Sequence, residues 1–307
     1  MFYKPRTMSN ELIILELLNE RKNLPRKDKQ HYFNLKKGYE GEMQFDALTE
    51  NLQCECLILN DLLLKVNNTT FQIDSLIIAH GKIYFYEVKN YEGDYYYESD
   101  KLFKRNPKVE VINPLYQLGR SESLLRQLLL SIGFNPQIDA SVVFINPKFT
   151  LYQAPLDKPI IFPTQVNQYI ENFNAIPSKL SEKHKKVADQ LLSLNNTDSP
   201  YKQIPSYYYD ELRKGITCSK CHSFSLSIEK RKCICHECGN GKPVIDAVMR
   251  SVKEFKILFP NEKITTNIIH DWCQVVQSKK TIRRILATNF NIVGVHQWTY
   301  YEQDLDF

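Results

Sequence analysis

Residues Phe71–Asn90, FQIDSLIIAHGKIYFYEVKN, read as two strands joined by a turn at His80-Gly81. Both runs, FQIDSLIIA and KIYFYEVKN, are rich in β-branched and aromatic residues and short enough to be strands rather than helices. Strand side chains alternate, so Ile83, Phe85, Glu87 and Lys89 point one way while Tyr84, Tyr86 and Val88 point the other. With a two-residue turn, Ala79 pairs with Lys82 and Asp74 lies opposite Glu87. Carboxylates paired across two strands sit about 4.5–5.5 Å apart at Cβ and repel each other. A divalent cation would remove that repulsion, since Mg2+ is held by one or two carboxylates together with waters and phosphate oxygens. Lys89 would then stand beside the cation, placed to orient a water or to stabilise charge on a phosphate. An ordinary salt-bridged Asp, Glu and Lys on a solvated sheet face accounts for the same residues equally well.

Before the hairpin, Asn10–Glu20 forms an amphipathic helix with Ile14, Leu15 and Leu18 on one stripe, expected to pack on the domain that follows. Arg21–Lys37 is basic and polar with little periodicity, which suits a solvated connection. In GYEGEMQFDALTENL, Gly38 and Gly41 lead into a helix on which Phe45, Leu48 and Leu52 repeat at helical spacing. Glu42 precedes Phe45 by three residues and shares its face, near the expected helix start, where a carboxylate also suits the helix dipole.

After the hairpin, GDYYYESDKLFKR continues as strand, and NPLYQLGRSESLLRQLLLSIG is a helix with Asn113 as N-cap, Pro114 at its first position and Gly133 closing it. Gln117 lies near its start, on a stripe with Ser121, Leu124 and Leu128. QIDASVVFIN is a near-continuous apolar run of the kind buried parallel strands show, with the preceding helix as crossover. KPIIFP adds a short strand, and TQVNQYIENF and SKLSEKHKKVADQLLSL add helices. The expected architecture is α/β, a mixed sheet flanked by helices on both faces.

The chain resembles the nuclease-related (NERD) domain, a branch of the PD-(D/E)XK nuclease-like superfamily. Glu42 in GYEGE, Asp74 in QIDSLII, Glu87 and Lys89 in YEVKN and Gln117 in NPLYQ carry the resemblance, in that order over about residues 36–150. It implies a restriction-endonuclease-like fold and phosphodiester cleavage of DNA with Mg2+ or Mn2+. It also implies that Asp74 and Glu87 are metal ligands, Lys89 the water-orienting or charge-stabilising group, and Glu42 and Gln117 supporting site residues. A fold of this kind also serves as a scaffold in a non-catalytic DNA-binding or regulatory protein, and RNA stays open as a substrate.

The last third has its own signature. Cys218-x2-Cys221 and Cys235-x2-Cys238 have the spacing of a four-thiolate Zn2+ site, a zinc ribbon with a short hairpin between its knuckles. Cys233 is a fifth thiol, and Cys235 is preferred because it alone gives the x2 spacing with Cys238. Lys230, Arg231 and Lys232 crowd the hairpin. Helices are expected over Ile245–Phe259, Thr266–Val276 and Ser278–Asn289. The last two resemble a helix-turn-helix in which Ile282, Ile285 and Leu286 face inward and Lys279, Lys280, Arg283 and Arg284 face outward. FNIVGVHQWTYYEQ could serve as a wing, so this region reads as a winged helix or as a helical cap on the ribbon.

The bulk composition fits this organisation. At 307 residues with 43% hydrophobic and 24% charged content, the chain suits a multi-domain globular protein. The net charge is +5, and the excess lies wholly in residues 200–307, which hold 16 Lys and Arg against 11 Asp and Glu. That placement favours a nucleic-acid partner for the tail. The sequence shows neither a signal-peptide pattern nor a long apolar run, which points to a cytoplasmic protein with no membrane partner, and a homo-oligomer is compatible with it. The expected divisions are an N-terminal helical extension (1–35), the nuclease-like domain (36–194), a linker (195–212), the zinc ribbon (213–243) and the helical region (244–307).

Overall fold

A computed structural model describes residues 2–196 and 202–302. The chain divides into two compact units, Met1–Ser9 with Phe33–Lys202 and Asn10–Tyr32 with Gln203–Phe307. The first two helices are α1 (Asn10–Arg21) and α2 (Arg26–Thr49), and the division falls inside α2. The N-terminal region is therefore not the separate 1–35 extension expected from its sequence. Its first nine residues belong to the first unit, and α1 belongs to the other, where Leu17 and Leu18 enter the core. Residues 197–201, within the expected linker, and 303–307 lie outside the described residues.

In the first unit, α2 is followed by β1 (Leu57–Val66), β2 (Thr69–Ala79), β3 (Lys82–Lys89), β4 (Gly93–Glu98), β5 (Lys101–Lys104) and β6 (Val109–Val111). Then come α3 (Pro114–Ser131), β7 (Gln137–Phe144), β8 (Phe149–Tyr152), β9 (Ile160–Ile161), α4 (Val166–Ala175) and α5 (Glu182–Ser193). The main sheet has the order β1-β2-β3-β7-β9, antiparallel through β3 and parallel beyond it. The crossover through α3 supplies the parallel partner, as the apolar run at β7 implies. Strands β6-β5-β4-β8 form a second sheet, which the sequence did not separate from the first.

Both faces of the main sheet are covered. Ile83 and Phe85 join Leu118, Leu125 and Leu129 of α3 and Val187 and Leu191 of α5, while Tyr84, Tyr86 and Val88 join Phe45 of α2 and Phe173 of α4. The turn has two residues, His80 and Gly81, with φ of 53° and 75°, and Ala79 pairs with Lys82. Positive φ at both positions matches the twist of the flanking strands, and Gly81 adopts it freely.

The helix carrying Glu42 is longer than expected. It starts at Arg26, inside the presumed connection, and runs through both glycines for 24 residues. A Cβ at Gly41 would lie 2.5 Å from Asn90 Cβ, whereas one at Gly38 would meet nothing within 4 Å. Gly41 thus lets α2 approach the chain just beyond β3, and Asn90 Nδ2 donates to Lys37 O at 2.7 Å.

The second unit continues with β10 (Leu226–Glu229), β11 (Lys232–Cys235) and β12 (Gly241–Pro243), a three-stranded antiparallel sheet. Helices α6 (Val244–Leu258), α7 (Thr266–Cys273) and α8 (Lys279–Asn289) follow, then a hairpin of β13 (Asn291–Val293) and β14 (Tyr300–Glu302). Trp272, Phe255, Ile269, Ile282 and Leu286 form its core with α1. The α7 helix ends at Cys273, where Gln274 takes a φ of 53°, so the connection to α8 is longer than the near-absent one expected.

The two glycines of α2 give a paired test. Gly41→Ala should destabilise the protein by about 1–3 kcal/mol through overpacking against Asn90. Gly38→Ala should stabilise it by about 0.5–1 kcal/mol through helix propensity. Urea unfolding of both variants measures the contrast, and equal effects would refute the role given to Gly41.

Candidate functional site

The hairpin register brings Asp74 and Glu87 together. Ladder pairs run from Ala79↔Lys82 to Ser75↔Tyr86, and Asp74 and Glu87 are the next residues along. The core-facing alternation slips at this point. On β1, Leu57 and Leu59 face the same cluster as Leu62 and Leu64, and on β2, Ile73 faces the same cluster as Leu76 and Ile78. The slip centres on Asp61, with a φ of 53°, and Asp74, between the pairs Asn60↔Ser75 and Leu62↔Ile73. The Asp74 carboxylate consequently turns toward β3 and accepts the Val88 amide on Oδ2 at 2.8 Å.

Glu87 is fully buried, and Lys89 Nζ reaches its Oε1 at 2.6 Å. The same Nζ lies 3.1 Å from Gln117 Oε1, near the start of α3. Glu87 Oε2 is buried without a hydrogen-bond partner among the described residues. Glu42 joins from α2. It stands well inside that helix, so the helix dipole gives no reason for a carboxylate there. Every nuclease-site residue picked from the sequence, Glu42, Asp74, Glu87, Lys89 and Gln117, is thus linked into this one corner, with Gln117 at its exposed edge.

Two further residues belong to it. Arg6 bonds Glu42 Oε2 from Nη1 at 2.5 Å, Asp46 Oδ2 from Nε at 2.9 Å, and Asp46 Oδ1 and Asp74 O from Nη2 at 3.1 and 2.7 Å. Asp46 was legible in principle, because it follows Glu42 by four residues and shares its helix face. Arg6 had no sequence signal, since it lies far from its partners along the chain and is held beside β1 by a bridge between Lys4 and Leu59.

The electrostatics are those of crowded acids. Burial, then the charge of Asp74, pushes both Glu42 and Glu87 up to about 8. Burial also raises Asp74. Burial pulls Lys89 down, but Glu87 and Asp74 together outweigh it and keep the ammonium charged. An unpartnered buried carboxylate oxygen beside a second carboxylate fits a divalent cation, as hard oxygen donors require.

The four cysteines of the CxxC pairs also come together. All their sulfurs lie within 4.8 Å of one another, with Cys218–Cys238 at 3.6 Å and Cys221–Cys235 at 3.5 Å. A tetrahedron with metal–sulfur bonds of about 2.3 Å has edges of about 3.8 Å, so the set fits a metal such as zinc. Cys233 is buried in the apolar core of the second unit, and the four-sulfur set contains Cys235 rather than Cys233.

On α8, Ile282, Ile285 and Leu286 are buried and Lys279, Lys280, Arg283 and Arg284 exposed, as the periodicity predicts. Lys230, Arg231 and Lys232 sit at the β10–β11 turn. A groove of about 1060 Å³ joins these basic clusters, with Lys230, Arg231, Gln277, Thr281 and Arg284 among its lining residues.

The first unit is thus an α/β/α sandwich that presents clustered carboxylates and a lysine on a central hairpin. Residues 37–145 match the family model of the nuclease-related domain, NERD. Neither a curated protein nor a solved structure matches the chain. Among the described residues, no helix is long and apolar enough to cross a membrane.

Two measurements address the metal sites. Elemental analysis should find about one tightly held Zn2+ per chain, lost in Cys218→Ser and Cys238→Ser and kept in Cys233→Ser and Cys273→Ser. Mg2+ or Mn2+ at about ten times its dissociation constant should stabilise the fold by about 1.4 kcal/mol. Thermal melts would read this as a rise of a few degrees, absent in Asp74→Asn.

Proposed function

We propose that the chain is a metal-dependent nuclease that hydrolyses DNA phosphodiester bonds. In this view a zinc ribbon and a basic winged helix recruit the nucleic acid. One observation carries the proposal: Glu87 is wholly buried with an oxygen unpartnered among the described residues, beside Asp74 and tied to Lys89. A purely structural salt bridge would not need a second buried carboxylate at the same point. The nuclease-related match over residues 37–145 supports the same conclusion.

Asp74 and Glu87 would hold Mg2+ or Mn2+, which when bound polarises a phosphate oxygen and acidifies a water. The Val88 amide holds Asp74 in place, so the carboxylate needs no reorganisation on loading. Lys89 is partly exposed and has donors beyond those used on Glu87 and Gln117, so it can orient a water or stabilise charge on a non-bridging oxygen. Gln117 lies exposed, where its amide can bond a phosphate or water while steering Lys89. Glu42 supports the site through Arg6, which also holds the Asp74 backbone.

Zinc at Cys218, Cys221, Cys235 and Cys238 is structural in this scheme, because four thiolates leave no position for water. It fixes the hairpin bearing Lys230, Arg231 and Lys232. Together with Lys279, Lys280, Arg283 and Arg284 these side chains would meet phosphates, and α8 follows a helix and turn as a recognition helix does. Such contacts are ionic and weaken steeply with salt.

Supercoiled plasmid incubated with the protein and Mg2+ or Mn2+ should be cut, and Asp74→Ala and Lys89→Ala should each reduce cutting by at least about 100-fold. Equal cutting by all three proteins, or none by the unmodified chain, would sink the enzyme assignment. For recruitment, Lys280→Ala with Arg284→Ala should lower DNA affinity and reduce the logarithmic salt slope by about 2. An unchanged slope would show that α8 does not touch the backbone.

A further inference from the structure

The acidic cluster holds more carboxylates than the proposed cation needs. Glu42, Asp46, Asp74 and Glu87 all converge on it, and Arg6 and Lys89 are the cations bonded to them. With every group ionised, four negative and two positive charges leave an excess of two, which one divalent cation cancels. Lys4 and Asp61 flank the cluster with opposite charges and do not alter the balance; Lys4 Nζ is bonded to the Asn60 and Asp61 carbonyls.

The charges are also divided in space by their partners. Arg6 takes Glu42 and both oxygens of Asp46, and its side chain is only 1% exposed. Lys89 takes one oxygen of Glu87, while Glu87 Oε2 has no hydrogen-bond partner among the described residues. A planar guanidinium bridging two carboxylates fills the position from which a second metal ion would bridge them, and it cannot lose its proton.

We propose that Arg6 takes the place of a second metal ion, occupying the Glu42/Asp46 half of the cluster so that the site loads one divalent cation at Asp74 and Glu87. This rests on the cation site proposed above. Arg6 is a positioning residue, delivered by the segment before α1 through the hydrogen bonds of Tyr3 and Lys4 to Ile58 O and of Asn60 N to Lys4 O. Replacing it by a neutral side chain would raise the excess to three and release Glu42 and Asp46 as oxygen ligands.

Counting bound Mn2+ by electron paramagnetic resonance on the zinc-loaded full chain tests this. The unmodified protein and Arg6→Lys should each bind one Mn2+, and Arg6→Gln should bind two. The second ion should disappear again in Arg6→Gln combined with Asp46→Asn. A structural role alone would lower stability without adding an ion. Two ions in the unmodified protein would overturn the proposal whether or not the variants fold, and so would one ion in a folded Arg6→Gln chain. If Arg6→Gln does not fold, Arg6→Lys decides: one ion supports the proposal and two overturn it. Absence of any Asp74-dependent Mn2+ in the unmodified protein would instead remove the cation site itself, and with it the metal-dependent nuclease.

Discussion

Four carboxylates in one largely buried corner are the constraint that the first unit must satisfy. Removing an ion from water costs several kcal/mol even after relaxation, and breaking a buried pair by deleting one partner costs about 3–5 kcal/mol. Each neighbouring feature of the fold answers part of that demand. The two-residue turn sets β3 so that Glu87 shares the face of Ile83 and Phe85 rather than that of Tyr84 and Tyr86. A slip of one residue would move it to the opposite face. The phase change at Asp61 and Asp74 presents Asp74 to the Val88 amide, and Gly41 lets α2 close on Asn90 with Glu42 next to it in sequence.

The second unit meets a comparable demand with ion pairs. Arg21 of α1 is buried against Trp272, 4.1 Å above the ring, and paired to Glu254 at 2.5 Å. Arg250 shares Glu254 and bonds Thr217 Oγ1 at 2.9 Å. Thr217 immediately precedes Cys218, so the arginine and glutamate network reaches the four-sulfur cluster through one backbone step. This explains why α1 belongs here: its apolar stripe fills the same core, and its buried arginine neutralises a glutamate of α6.

Strong local signals were legible in the sequence and long-range pairings were not. The hairpin, its register and the inward faces of β3 and α8 follow from alternation and periodicity, which need only neighbours along the chain. The Asn113-Pro114 start of α3 is equally local, and Asn113 caps it by accepting the Leu115 amide at 3.0 Å. By contrast, α1 carries an apolar stripe that says it packs but not on what. The Arg26–Lys37 stretch looked like a connection because polar residues dominate it, yet it is the first half of α2. Arg6 is invisible for the same reason: a lone arginine in a polar segment acquires meaning only when β1 holds that segment against the acids.

Softness of the donor atoms separates the carboxylate corner from the four-sulfur cluster. Carboxylates with a lysine and an amide alongside favour a hard cation that keeps waters, whereas four thiolates favour zinc and complete its shell. A closed four-sulfur shell leaves no position for a water, whereas an oxygen-ligated cation keeps some. The basic residues follow the same division. They line the groove beside the sulfur site's hairpin and α8, while the exposed face of the carboxylate corner offers Lys89 and Gln117. The clustered basic side chains and the clustered carboxylates thus belong to different units.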